Sequence, residues 1–352
     1  MLWGLDSVAA GASHFGLHSF CNKILSIAES LLRPTEEPGV KAVHLTRKAF
    51  VQMGQGKVRE AAETWELARL PVFASNHSWE IAVYEFLRGH GLALAGDIAR
   101  AAKSTRHSLS ESRNHGDTLH IWAALYTLSY LGLEAPECEE MLPTEMSSGR
   151  TFRHATLGHL AAAQGHVAEA AAHHVRAADE MTFGWPMAII PGESASAVRQ
   201  VILALPPQAE GLRRDLYPEF LRGVKRAKKQ AELTPIAQPI ALRETAWSLV
   251  FKGDTGGALR CFRRAADKAA ELELSYELWR TLKSWAQAGV ALRWDSSEWC
   301  SRLRGVERSL GLEQQEQVTQ FQALHLMARF DGLLRHGQSI AKSLSLPDLC
   351  ES

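Results

Sequence analysis

Histidine and cysteine side chains near the N-terminus have a spacing that could bind a metal ion. His14, His18 and Cys21 follow the pattern H-x3-H-x2-C, and imidazole nitrogens and thiolates are the donors that zinc prefers. Gly16, however, is expected in a turn, so His14 would end one helix and His18 would begin the next. Cys21 would then fill a small packing position. We therefore predict turn and packing residues here rather than a metal site.

Five further histidines lie close together in the sequence and raise the same question. They are His154, His159, His166, His173 and His174. A zinc site needs three or four converging ligands. His166, however, falls in a turn, and His173 and His174 point in different directions. We predict partly exposed helix residues. A pH-sensitive surface remains the alternative, because histidine titrates near neutrality.

A basic stripe could bind phosphate groups. Arg222, Lys225, Arg226 and Lys229 recur at helical spacing and share one face, with apolar residues opposite. Interleaved aromatic side chains that would stack on bases are missing. Lys plus Arg and Asp plus Glu number 39 each, so the formal net charge is zero. A solvated outer helix face is therefore the preferred interpretation, and nucleic acid and membrane surfaces are not favoured as partners.

Catalytic motifs are not found. Gly54–Lys57 is too short for a phosphate-binding loop and lies on a repeat turn, and no H-R-D, H-E-x-x-H or G-x-S-x-G sequence occurs. We therefore predict a non-enzyme, with no cofactor and no metal.

Aromatic residues offer the best candidates for contacting a partner. The segment 181–191 is apolar although it lies between helices, so it either fills a groove or presents Trp185 as an anchor. Trp279 and Trp285 cannot share one helix face, so at least one of them should be core. We choose Trp185, Trp279, Arg222 and Arg226 as partner contacts.

The elements that would carry these residues are indicated by a pattern that recurs about every forty residues. A glycine is followed at +5 by a small residue, at +9 by a bulky one and at +12 by another small one. The copies are Gly56, Ala61, Trp65 and Ala68; Gly165, Ala170, His174 and Ala177, preceded by Leu157-Gly158; and Gly253, Ala258, Phe262 and Ala265. Gly16 and Gly96 begin two looser copies. The pattern predicts a tight turn entering a helix that lies very close to its neighbour.

We predict an all-α, right-handed solenoid of about eight antiparallel helical hairpins over residues 1–352. Strong helix formers dominate the segments, and prolines such as Pro71 are expected between helices. The approximate hairpins are 3–33, 40–70, 79–112, 117–145, 151–182, 193–233, 239–272 and 275–311, with a helical cap at 313–346. Stacked in single file, they would form an open concave surface lined by the first helix of each pair.

The repeat resembles the tetratricopeptide (TPR) repeat, whose signature runs Leu-Gly, a turn glycine, then Ala-x3-aromatic and a further Ala. Leu157, Gly158, Gly165, Ala170 and Ala177 match in register, with His174 at the aromatic position. The longer period is similar to the C-terminal repeat arms of bacterial signalling ATPases and multidomain serine/threonine kinases. That resemblance implies a regulatory, protein-binding role. Because no polar capping helix precedes the first helix, we expect a further domain upstream or on another chain.

These patterns favour a cytoplasmic, non-catalytic module that binds a protein or peptide on its concave face. The five cysteines are dispersed, as in proteins of a reducing compartment, and no apolar run is long enough to span a bilayer. The alternatives are a solenoid that senses a peptide or small ligand and an enzyme with a site on the concave face. A pocket holding carboxylates or histidines with strongly shifted pKa values would favour the enzyme.

Overall fold

The all-α prediction is confirmed. The computed structural model describes residues 2–32, 37–133, 144–181, 184–206 and 208–312, and within these ranges it contains helices and no β-strand. The helices are α1 (Leu2–Ser13), α2 (His18–Leu31), α3 (Pro38–Gly54), α4 (Val58–Ser75), α5 (Ser78–Ala95), α6 (Ile98–His115), α7 (Thr118–Tyr130), α8 (Ser147–Ala163), α9 (Val167–Glu180), α10 (Ile190–Ala204), α11 (Glu210–Leu233), α12 (Gln238–Phe251), α13 (Thr255–Glu271), α14 (Ser275–Leu292) and α15 (Ser297–Leu310). Consecutive helices pack against each other, as in a solenoid.

Glycine–aspartate pairs form several of the turns between helices. They are Gly96-Asp97, Gly116-Asp117 and Gly253-Asp254. Each glycine has a positive φ, which ends the preceding helix at no steric cost. Each aspartate accepts a hydrogen bond from a backbone N–H in the first turn of the next helix. Two adjacent residues thus end one helix and begin another.

The helices are of two kinds, which their sequences explain. α5 and α7 are apolar on all sides and are buried almost throughout, as expected for helices with neighbours all round. α13 instead buries one stripe that includes Ala258, Phe262 and Ala265, and its charged residues face outward. First helices such as α5 and α7 therefore lie inside the molecule, and second helices such as α13 form its outer layer.

Small residues lie where bulky rings cross a neighbouring helix. A Cβ atom added to Gly91 would come within 2.4 Å of the Trp65 ring, and one on Gly158 would come within 2.6 Å of the His174 ring. The +9 side chain of the repeat thus packs against a glycine on an adjacent helix. This is the close approach that the repeat pattern implies.

The predicted open concave surface is not present in the described part of the chain, because the N-terminal hairpins pack against the C-terminal ones. α5 contacts α14 directly. The turn glycine Gly16 lies against Leu233, Gly56 against Leu272, and Gly96 against Leu310. The small rotation between successive hairpins accumulates until the turns of the first three hairpins reach the C-terminal ends of α11, α13 and α15. The inner face becomes an interior.

The segment 184–189 helps to fill this interior. Trp185 is only 2 % exposed, and its ring contacts Phe50, Trp65 and His90 at centroid distances of 5.1–6.1 Å. Gly184 lies directly against His14. The segment therefore packs inward rather than presenting its tryptophan at the surface.

One expectation about helix boundaries is wrong. Pro71 lies inside α4, which continues to Ser75, and Pro218 lies inside α11. A proline within a helix removes one backbone hydrogen bond, but packing of the apolar face can outweigh that loss. The predicted cap at 313–346 and part of the predicted hairpin 117–145 lie outside the described residues. No helix in the described ranges is both long and apolar enough to cross a bilayer.

Candidate functional site

Five buried charged side chains and a sixth that is partly exposed, Arg280, lie together at the closed interior, where charges are rarely found unless they are paired. We call them the inner ionic cluster: Glu193 and Arg199 from α10, Arg243 and Glu244 from α12, and Glu277 and Arg280 from α14. The three helices are the first members of neighbouring hairpins, and α12 contacts both of the others. Each helix contributes one carboxylate and one guanidinium group, so the formal charges of the cluster balance.

Glu244 pairs with two arginines at one end of the cluster. Arg199 Nε donates to Glu244 Oε2 at 2.9 Å, and Arg243 Nε donates to Glu244 Oε1 at 3.2 Å. The Arg199 guanidinium also lies 4.8 Å from the centre of the Trp247 ring. The carboxylate thus accepts from two guanidinium groups, and one of these also lies against an aromatic ring.

Glu277 also lies between two arginines. Arg243 Nη1 donates to its Oε2 at 2.8 Å, and Arg280 Nη1 donates to its Oε1 at 2.9 Å. Burial alone would raise the pKa of Glu277, but the two guanidinium groups hold it below its usual value. Glu277 therefore carries its charge inside the molecule.

Tyrosines of α7 attach this cluster to the N-terminal half. Tyr126 donates its hydroxyl hydrogen to Glu193 Oε2 at 3.0 Å, and Tyr130 donates to Glu277 Oε1 at 2.7 Å. Burial, with the nearby carboxylates, raises the pKa of both phenols well above the usual value. Tyr276 in turn donates to the carbonyl oxygen of Tyr130 at 3.2 Å. The closed arrangement is thus held by directional hydrogen bonds as well as by packing.

Two histidines face the carboxylate of Glu193. His159 Nε2 lies 3.3 Å from Glu193 Oε1, and the His159 and His174 ring centroids are 4.7 Å apart. Burial lowers the pKa of His174 to about 3, so this imidazole is neutral at neutral pH. One potential ligand atom from each of the three side chains lies within 4.8 Å of the others. Two imidazoles and a carboxylate form a common ligand set for zinc and for non-haem iron.

The sequence interpretation of the histidines needs one correction. His154 and His173 are partly buried and His166 is exposed, but His174 is 4 % exposed and belongs to the interior. Its place at +9 of the repeat was the available signal, because that position holds a core ring in the other copies. Glu193 gave no such signal, since it lies in a different hairpin from the two histidines.

The histidines and cysteine near the N-terminus do not form a metal site in the described structure. Cys21 is fully buried and donates its thiol hydrogen to the Ala9 carbonyl oxygen at 3.3 Å. His14 packs edge-on against Phe50. Gly16 forms the turn between the two helices.

The proposed contact residues occupy different environments. Trp185 could not touch a partner without leaving the interior. Trp279 is half-buried, donates to Glu307 Oε1 at 3.3 Å and packs against Lys283, whereas Trp285 is core.

The basic stripe of α11 is on the surface, as the sequence indicates. Arg222 pairs with Glu219, and Arg226 pairs with Asp179 of α9. The charges of these two arginines are thus balanced by neighbouring carboxylates.

The outer surface of the N-terminal helices, α1–α5, has many exposed apolar side chains. Thirteen large apolar side chains are exposed in the described residues, and all except Met146 and Leu212 lie in α1–α5 or their connections. We call these the N-terminal apolar surface: Trp3, Val8, Phe15, Leu17, Phe20, Ile27, Leu31, Leu67, Leu70, Phe73 and Trp79. Phe20, Ile27 and Leu31 form a stripe at helical spacing on α2, and Leu67 and Leu70 form another on α4.

These features are not explained by a known relative. No protein-family model matches the chain, and no curated protein is significantly similar to it.

Proposed function

We propose that this chain is a non-catalytic, protein-binding module whose docking site is the N-terminal apolar surface. The observation that supports the proposal is the concentration of exposed large apolar side chains on α1–α5. Exposed apolar residues that cluster, rather than being scattered singly, are typical of protein–protein interfaces.

The distribution of polar groups favours a docking site on the outer surface rather than on the concave face. The inner ionic cluster is paired within the chain, and Trp185 fills space that an inner groove would need. A partner on the inside would have to replace these contacts. A partner on α2 and α4 would only cover side chains that already face water.

The occupant that we propose is an amphipathic helix of a partner protein. Phe20, Ile27 and Leu31 give α2 an apolar stripe of the kind that helix-in-groove recognition uses. Leu67 and Leu70 form a second exposed apolar pair on α4, beside Glu63, whereas Glu66 of the same face already accepts from Arg88. A partner helix with an apolar face and a basic residue towards Glu63 would complement this surface.

For residues 1–352 we propose a right-handed, TPR-like solenoid of about eight hairpins that acts as a regulatory arm in a bacterial signalling system. The dispersed cysteines fit the cytoplasm.

The test is a pull-down that compares the unaltered chain with Leu67→Ser/Leu70→Ser. Leu67 is 68 % exposed and Leu70 is 80 % exposed, so the free energy of unfolding of this double variant should change by no more than about 0.5 kcal/mol per substitution. Loss of a partner that the parent recovers reproducibly is the expected result.

The matched control is Leu212→Ser, which changes an exposed leucine on α11, far along the chain from the N-terminal apolar surface. It should recover the partner normally. If all three proteins recover the same partners in equal amounts, the proposed docking site is wrong.

A further inference from the structure

We propose that His159, His174 and Glu193 form a binding site for a divalent transition-metal ion, with Zn²⁺ as the best fit. Two imidazoles and one carboxylate suit zinc in donor type, and they leave a fourth position for a water molecule or anion. This inference is independent of the N-terminal apolar surface, because the three residues lie in the interior.

The geometry is close to what a tetrahedral ion needs. Ligand atoms about 2.1 Å from zinc are separated from one another by roughly 3.4 Å. His159 Nε2 and Glu193 Oε1 are already 3.3 Å apart. The complete set lies within 4.8 Å, so small side-chain rotations would bring all three atoms to one ion.

An unpaired nitrogen atom supplies a second, independent observation. His174 Nδ1 is buried and has no hydrogen-bond partner in the structure. A buried polar atom without a partner costs free energy. His174 is 4 % exposed, so bulk water does not compensate for the missing partner. A bound ion could satisfy an imidazole nitrogen without requiring a second protein group.

The backbone brings the two histidines together at a glycine. Gly158 precedes His159 on α8, and an added Cβ there would come within 2.6–2.7 Å of His174 Cδ2 and Nε2. Without this glycine, the His174 ring of α9 could not lie beside α8. The pair is therefore positioned by the same close helix approach that defines the repeat.

The surrounding groups hold the carboxylate in place. Tyr126 donates to Glu193 Oε2 at 3.0 Å, which leaves Oε1 facing His159. Arg280 Nη1 lies 3.3 Å from that Oε1 and 2.9 Å from Glu277 Oε1. An ion would replace Arg280 at Glu193, while Arg280 keeps its shorter hydrogen bond to Glu277.

The local charge predicts what the fourth ligand would be. The inner ionic cluster is formally neutral without an ion, so a divalent cation adds positive charge to a buried region. We expect hydroxide or a small anion at the fourth position to offset part of it. His159 and Arg280 have partly exposed side chains, so the site can be reached from their side.

The experiment titrates chelator-treated full chain with CoCl₂, whose visible absorption reports the coordination of the ion, and then with ZnCl₂ as competitor. We expect one ion per chain, a tetrahedral cobalt spectrum and its loss when zinc is added. His159→Asn and His174→Asn should each abolish the spectrum. Tyr126→Phe keeps the buried ring but frees the carboxylate, and it should weaken binding by roughly 10–100-fold.

The matched control is His154→Asn/His173→Asn. These two imidazoles lie on the same pair of helices, with their Nδ1 atoms 3.2 Å apart, but they are not part of the three-residue group. This variant should bind cobalt like the parent. Circular dichroism of each metal-free variant checks that the helices are retained, and Tyr126→Phe carries the test if an asparagine variant does not fold.

Three results would overturn the proposal. The first is a parent chain that binds neither cobalt nor zinc. The second is an unchanged cobalt spectrum in folded His159→Asn. The third is loss of the spectrum in His154→Asn/His173→Asn alone, which would place the ion at the partly exposed pair.

Discussion

The inner ionic cluster and the N-terminal apolar surface reverse the usual arrangement of a protein. Three carboxylates and three guanidinium groups lie inside, where each has partners from neighbouring helices. Large apolar side chains lie outside on α1–α5, facing water. The comparison shows that closing the helix stack changes which face of a solenoid is available. The charged groups on the inner side pair with one another, and the apolar side chains on the outer side remain uncovered.

The contrast also separates two energetic roles. A buried ion pair is costly to break, because removal of one partner leaves an unpaired charge in the interior. An exposed ion pair contributes little, since water screens both of its charges. Stability should therefore depend strongly on the inner cluster and weakly on surface pairs of the same chemical type.

The largest effect is expected for Arg243→Ala. This change leaves Glu277 and Glu244 without a shared guanidinium, and both carboxylates are buried. We expect the free energy of unfolding to fall by roughly 3–5 kcal/mol, measured by urea denaturation at neutral pH.

The matched control for this prediction is Arg302→Ala, which breaks the exposed pair with Asp267. Its effect should stay within about 1 kcal/mol. Similar values for the two variants would show that the inner cluster is hydrated rather than enclosed.

A smaller effect concerns the pH dependence of stability. Burial lowers the pKa of His90 to about 4, whereas an unfolded histidine titrates near 6.5. Between these values the unfolded chain binds a proton that the folded chain excludes, so the stabilisation is complete above about pH 6.5 and is lost as the pH falls towards 4. The expected loss is about 3 kcal/mol.

Urea unfolding at pH 7 and pH 4 measures this difference in the parent and in His90→Gln. The variant should lose about 3 kcal/mol less than the parent across this range. His166→Gln alters an exposed histidine and should retain the parent's pH dependence. An equal loss in the parent and His90→Gln would mean that His90 is accessible to water.

The smallest effect tests the contact between the ends of the stack. Gly96 and Gly116 both have positive φ angles, so alanine at either position costs about 1–2 kcal/mol of backbone strain. A Cβ atom on Gly96 would also come within 2.5 Å of Leu310 and 2.9 Å of Ser275 Cβ, while one on Gly116 meets nothing within 4 Å. Gly96→Ala should therefore destabilise the protein by about 1–3 kcal/mol more than Gly116→Ala. Equal thermal unfolding of the two variants would argue against the contact.

The helices, their turns and their packing faces could be predicted from the sequence because their pattern repeats. Gly56 lies between α3 and α4 with a φ of 77°, and Ala61 and Trp65 are buried on the helix that follows. Each of these positions depends on residues fewer than fifteen places away. Periodicity therefore indicates the helices, their turns and their packing faces.

The closed interior could not be predicted from the sequence in the same way. Its position depends on a rotation that accumulates over many hairpins, and no single repeat encodes that rotation. Glu193 and His159 are separated by 34 residues, and Tyr130 and Glu277 by 147. Charged residues such as Arg243 and Glu277 look like ordinary surface residues until the packing of α12 and α14 is known.

In the closed arrangement the N-terminal hairpins pack against the C-terminal ones. The most direct test is the distance between spin labels at Arg59→Cys and Glu273→Cys, in a chain whose native cysteines are replaced. The side chains of Arg59, in α4, and Glu273, between α13 and α14, form an ion pair across this contact. We predict a single short distance between the labels, at the lower limit of the range that pulsed electron–electron double resonance can measure. An open stack displaces successive hairpins by about 10 Å each, so a distance of roughly 40–50 Å would contradict the closed arrangement.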